Sequence, residues 1–182
     1  MDSLPSVFAA DLPGDSYPSP VRSFGFRLWH LRHAWTRRLE AALAPLGLTH
    51  MQYMLLRGAD YLARQGERPA QAHLAEGLAM DRMTVSKVLR LLDAKGLVVR
   101  AAHPDDPRAN HVVLTEAGRR TLVRAVGLAE AEQARFFGAL GTERQAQFSA
   151  MLDDLLAVAG RPLAGHPSRE RIVSTATMGG EG

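Results

Sequence analysis

The sequence contains no cysteine, which excludes disulfides, thiolate metal sites and redox sensing through a thiol. Aromatic residues make up only 6% of its 182 positions, against 46% hydrophobic residues in total, so leucine, valine and alanine must fill most of any core. No apolar run is long enough to span a bilayer. The N-terminus carries Asp2 and Asp11 with no basic region before an apolar stretch, so no secretory signal is expected and a cytoplasmic location fits. Catalytic signatures are also missing. There is no HExxH, no Gly-rich phosphate loop and no nucleophile elbow, and nothing in the sequence pairs its His, Asp and Ser residues. The expectation is a protein that is not an enzyme and carries no cofactor. The formal net charge of +3 is a weak excess, so the position of the charges matters more than their sum.

What is present is a run of helical patterns between two Pro- and Gly-containing ends. Residues 1–20, with Pro5, Pro13, Pro18 and Pro20, read as a disordered arm, and residues 161–182 as a second such tail. Between them, 21–160 reads as one domain. A helix is expected from about Val21 to Ala44, with Phe24, Leu28, Leu31, Trp35 and Ala42 on one stripe that Leu39, Leu43 and Leu46 extend. That stripe suits either core packing or contact with a second subunit. Thr49 and Gln52 have capping-box spacing, and Leu48 with Tyr53 can staple the entry to a helix over about His50 to Arg64. The last helix is expected to open at Thr142, boxed by Gln145, with Phe148, Met151, Leu152, Leu155 and Leu156 on its apolar face.

The central segment carries the chemistry. A short helix over about 70–78 leads through a tight turn to Asp81, a good N-cap. The helix from Arg82 to about Lys95 buries Val85, Val88, Leu89 and Leu92, and Gly96 stops it. On its other face lie Met83, Ser86, Lys87 and Arg90. Lys87 and Arg90 can reach guanine acceptors or phosphates, Ser86 a base edge or a phosphate, and Met83 a thymine methyl. A solvated helix face has the same pattern, but a short helix, a turn and a second capped helix match the DNA-reading motif. The pattern then changes period. Leu97–Arg100 and His111–Leu114 read as strands around a polar loop from His103 to Asn110, which makes a hairpin. In that loop Arg108 can enter a minor groove, with Asp106 holding it by a charge-assisted hydrogen bond. An exposed ion pair of little energetic value is the plainer reading. Thr115 can cap the next helix, which should reach about Phe137.

Leu74-Ala75-Glu76, Thr84-Val85-Ser86-Lys87, Gly96-Leu97-Val98, Asp106-x-Arg108 and Leu114-Thr115-Glu116-x-Gly118-Arg119 resemble the MarR family of regulators. The resemblance runs from about residue 22 to 159. It implies a mainly α fold: a winged helix-turn-helix over about 48–115 with a two-stranded β wing, and dimerisation helices over about 21–46 and 116–160. It implies a homodimer on a palindromic DNA operator, each winged helix binding one half-site, and often a repressor released by a small aromatic carboxylate. The family's DNA contacts correspond here to Thr84, Ser86, Lys87, Arg90, Asp106 and Arg108; Arg82 and Met83 complete the expected set. Two positions depart from the family pattern. Ala79 stands where the turn often has Gly, which implies a shifted turn or local strain, and Met83 stands where a small polar residue is common.

The first helix also holds Arg22, Arg27, Arg32, Arg37 and Arg38 with His30 and His33. Trp29, His33 and Arg37 are four apart and share a face, either as an anion-binding wall or as a solvated basic face near DNA phosphates. For a ligand of the kind the resemblance implies, Arg37 or His33 would take the charge, and Trp29 with Tyr53 the ring. His30 and His33 have helical spacing for a metal but no acid near them except Glu40, so no metal site is assigned. A metal-responsive or effector-independent regulator is the alternative.

Overall fold

The computed structural model describes residues 22–103 and 106–160, with side chains described outside 102–110. The expected arm over 1–20, the tail over 161–182 and the side chains of Asp106 and Arg108 lie outside the described residues. The element order is α1 (Phe24–Leu43) with a 3-10 turn (Ala44–Leu46), α2 (His50–Arg64), α3 (Gln71–Gly77), α4 (Arg82–Ala94), β1 (Val98–His103), β2 (Asp106–Leu114), α5 (Glu116–Gly138) and α6 (Gly141–Val158). Two compact units result, one ending at Ala134 and the other beginning at Arg135, so the division falls inside α5.

Capping sets the boundaries. At the start of α2 the Thr49 hydroxyl accepts from the Gln52 amide at 3.3 Å, and Gln52 Oε1 accepts from the Thr49 amide at 3.2 Å. The box therefore satisfies two amides that have no partner within the helix. At the other end of the domain the same spacing fails. Leu140 precedes α6 with no side-chain cap. Left-handed Gly141 (φ 69°) carries the chain into the helix, so Thr142 falls inside the first turn and the expected box with Gln145 does not form.

The first unit is built around leucine. Leu43, Leu55, Leu56, Leu74, Leu89 and Leu92 are fully buried together with Val85 and Val98, each contributing about 1.5–3 kcal/mol of apolar burial. The α1 stripe divides. Leu39 and Leu43 are in this core and Trp35 packs against it, whereas Phe24 (87% exposed), Leu28 and Leu31 face outward. Glu132 on α5 is buried and accepts from Arg38 Nε on α1 at 2.5 Å. In the second unit Phe137 and Phe148 stack with ring centroids 6.2 Å apart. No residue of α6 is fully buried, and Met151 and Leu155 of its apolar face are exposed.

The hairpin is longer than its sequence suggests. β1 and β2 pair antiparallel from Val98↔Leu114 to Ala102↔Asn110, and then His103↔Asp106 after a register shift. Residues expected in a loop thus belong to β2. Pro107, which has no amide to give a ladder, falls in the irregular stretch between those last two pairs.

Candidate nucleic-acid interface and effector cavity

Three contacts fix the entry to α4. Asp81 Oδ1 accepts the Thr84 amide at 2.8 Å. Hydrogen bonding to Thr84, through its side chain and its amide, holds the Asp81 carboxyl below the usual carboxylate range. Gln71 Nε2 on α3 donates to the Arg82 carbonyl at 3.0 Å, tying the starts of the two helices together.

The turn between α3 and α4 is a Schellman motif. The Met80 amide donates to the Ala75 carbonyl at 2.8 Å and the Ala79 amide to Glu76 at 3.1 Å. The motif wants a left-handed residue, normally glycine, just past the C-cap. Ala79 occupies it with φ 53°, alone among the described non-glycine residues. The turn is therefore not shifted to Gly77, and Ala79 carries the strain. α4 ends in the same motif, with Gly96 (φ 68°) in that position and the Leu97 amide donating to Leu92.

This frame orients α4. Val85, Leu89 and Leu92 are buried and Val88 is partly buried. Arg82, Met83 (83% exposed), Lys87 and Arg90 are exposed, while Thr84 and Ser86 are half-buried. Arg90 Nε lies 3.4 Å from the Ser86 carbonyl, a weak bond that leaves the guanidinium at the helix surface. The structure thus brings all six expected α4 residues to one helix, with four of them facing out.

The wing is anchored at its base. The Val112 amide donates to Pro69 at 2.9 Å, and Ala70 bridges His111. Thr115 then locks α5 to the end of α4: its hydroxyl donates to the Gly96 carbonyl at 2.7 Å and accepts from the Gly118 amide at 2.9 Å. Its own amide donates to Leu97 at 3.1 Å. Gly118 sits so close to the Leu97 carbonyl that a Cβ there would collide with it.

Sequence reasoning missed the cavity between α2 and α5. It is open to solvent, holds about 440 Å³ and is lined by Arg57, Asp60, Tyr61 and Arg64 from α2 and Arg119, Leu122, Val123 and Val126 from α5. Arg64 pairs with Asp60 at 2.7 Å, and Arg57 donates to the Tyr53 hydroxyl at 2.9 Å. Only the spacing of Arg57, Tyr61 and Arg64 by four and three residues, with neighbouring Asp60, hinted at this face, and nothing local in the sequence shows that α5 borders it.

The residues expected from sequence to hold a ligand lie on α1 and at the start of α2. Trp29 packs on His33 with centroids 4.2 Å apart and on His30 at 4.8 Å, while Arg37 is exposed on α1. Tyr53 is 4% exposed and part of the core, because it staples the α2 entry beside Leu48; its ring is packing rather than an open wall. None of the four lines the α2–α5 cavity. Among the described residues no group of three or more His, Cys, Asp or Glu is placed to hold a metal, and no helix is long and apolar enough to cross a membrane.

A short helix, a strained turn, a helix with a buried apolar face and an exposed basic one, and a hairpin anchored behind it define a winged helix-turn-helix module. A model of the MarR family matches residues 46–109. The HTH-type transcriptional regulator YdcH of Bacillus subtilis is 34% identical over 140 residues, covering 77% of this chain and 94% of that protein. The HTH-type transcriptional repressor Rv2887 of Mycobacterium tuberculosis is 30% identical, covering 72% and 91%. Its structure in complex with salicylic acid aligns with a TM-score of 0.58 at 30% identity, over 79% of this chain and 99% of that one. A MarR-family regulator from Rhodococcus aligns with a TM-score of 0.67 at 25% identity, over 76% and 96%. The chain belongs to the MarR family of transcriptional regulators.

Proposed function

We propose that the protein is a homodimeric repressor of a palindromic operator, released when a small anionic aromatic ligand binds. The observation that carries the DNA reading is the exposed Met83–Lys87–Arg90 face of α4, opposite buried Val85, Leu89 and Leu92. Those side chains, with Arg82, Thr84 and Ser86, enter the major groove. Arg108, steadied by Asp106, reaches the neighbouring minor groove from the wing. The dimer uses the apolar side chains left outside the core, Phe24, Leu28 and Leu31 on α1 and Met151 and Leu155 on α6. Rv2887 has been crystallised with DNA as well as with salicylic acid, which supports both halves of the reading.

The effector's seat is the α2–α5 cavity. Leu122, Val123 and Val126 offer an apolar surface for a ring, and three arginines against one aspartate offer the charge for a carboxylate. The cluster of Trp29, His33 and Arg37 is the second candidate seat, favoured by the stacked indole and imidazole. To release DNA the ligand must bind the non-binding conformation more tightly, since equal affinity shifts nothing.

The test is selection of bound fragments from the protein's own genome, followed by titration of salicylate- and nicotinate-like acids into the protein–operator complex. A palindromic consensus and acid-dependent release are expected. Fragments without a shared palindrome would sink the dimeric reading, and a panel that changes neither DNA affinity nor thermal stability would sink the effector.

A further inference from the structure

Lys95, the C-cap residue of α4, is exposed, but its ammonium turns back onto the fold. Its Nζ donates to the Gly47 carbonyl at 2.5 Å and to Gln52 Oε1 at 2.9 Å, acceptors 48 and 43 residues away in the chain. Both acceptors are fixed. Gly47 is the left-handed residue (φ 64°) that closes the 3-10 turn after α1. Gln52 is 4% exposed, and its amide oxygen is already oriented by the Thr49 amide in the capping box. One lone pair serves the box and the other the ammonium.

The electrostatics favour this placement. The carbonyl at the end of the 3-10 turn carries partial negative charge, and the ammonium meets it directly. Charge-assisted hydrogen bonds are about twice as strong as neutral ones and are directional. The apolar packing of Val85, Leu89 and Leu92 is non-directional; it fixes which face of α4 is buried and how deeply, but leaves the tilt of its C-terminal end to polar contacts. Among the described side-chain bonds, those of Lys95 join that end to the α1–α2 turn.

We propose that Lys95 is a positioning residue for DNA recognition: it makes the C-terminal end of α4 and the α1–α2 turn one rigid piece, and so sets the separation of the half-sites that two copies read. This rests on the dimeric reading above.

The experiment is selection from a randomised duplex library with the full-length protein and with Lys95→Met and Lys95→Arg. The wild type is expected to select inverted repeats with one dominant separation. Lys95→Met should keep the half-site sequence, while its discrimination against repeats one base pair longer or shorter falls about tenfold, the low end for charge-assisted hydrogen bonds because the ammonium is exposed to solvent. Lys95→Arg should restore discrimination, because the guanidinium can donate to both oxygens. A merely structural lysine would lower the melting temperature of Lys95→Met and leave the separation preference intact, and that result would overturn the proposal. So would loss of the half-site sequence itself, which would make Lys95 a base or phosphate contact. Wild-type selection of DNA without inverted repeats would remove the dimeric reading and this role together, an outcome distinct from a variant that keeps its preference.

Discussion

Arg119 Nη1 donates to the carbonyl of Leu114 at 2.9 Å, so a side chain that lines the α2–α5 cavity also holds the last residue of the wing strand. A carboxylate entering the cavity competes for the same guanidinium. Arg119→Gln is therefore expected to weaken salicylate binding. Its side chain is 54% exposed, so solvent screening sets the loss at the low end for a charged hydrogen bond, about tenfold. Titration calorimetry of the two proteins with salicylate measures this; wild-type affinity in Arg119→Gln would place the ligand elsewhere, and the Trp29–His33–Arg37 cluster would be substituted next.

Ala79 keeps a left-handed conformation that suits glycine. Ala79→Gly should raise stability by about 0.5–1 kcal/mol, the relief of Cβ strain less the extra entropy glycine gives the unfolded chain. Urea denaturation with an unchanged slope would register it as a higher midpoint. A lower midpoint would mean that Ala79 is not strained.

Gly118 has the opposite requirement. Because a Cβ there meets the Leu97 backbone, Gly118→Ala should cost about 1–3 kcal/mol, the usual cost of overpacking. The shift must come from α5 moving off the end of α4, so DNA affinity should fall along with the melting temperature. A variant as stable as wild type would contradict the close approach.

His50, at the start of α2, has its pKa lowered from its ordinary value of 6.5, chiefly by burial; Arg32 adds to the lowering and Glu40 opposes it. A folded pKa below the unfolded one means that the unfolded chain binds more protons in the window between them. Stability is thus fully present above about pH 6.5 and is lost as pH falls from there through the folded value. The fall in melting temperature from about pH 7 to about pH 5 should be smaller in His50→Asn, where no imidazole titrates. Equal falls in both proteins would remove His50 as a source of acid sensitivity.

Much of the fold was legible because its signals are local. Thr49 with Gln52, Asp81 with Thr84, Gly96 and Thr115 each mark a boundary by contacts within a few residues, and all four appear in the structure. Thr142 misled because its spacing is right but Gly141 starts the helix one residue early. The strand ends were underestimated because Pro107 and the charged residues around it suggest a loop. The exposed side of α4 followed from helical periodicity alone, whereas the α2–α5 cavity and the reach of Lys95 to Gly47 depend on contacts between distant segments. No window of the sequence contains those contacts.

The affinity for the selected operator, measured against salt concentration for wild type, Lys87→Ala and Arg90→Ala, tests the DNA-reading role of α4 most directly. Groove docking by α4 predicts a steep linear fall of log affinity with log salt in the wild type. The residue that touches a phosphate should lower the slope by about 1 when removed, and the one that reads a base should cost about 1–3 kcal/mol and relax one operator position. Wild-type affinity, slope and sequence preference in both variants would show that this face of α4 does not meet DNA.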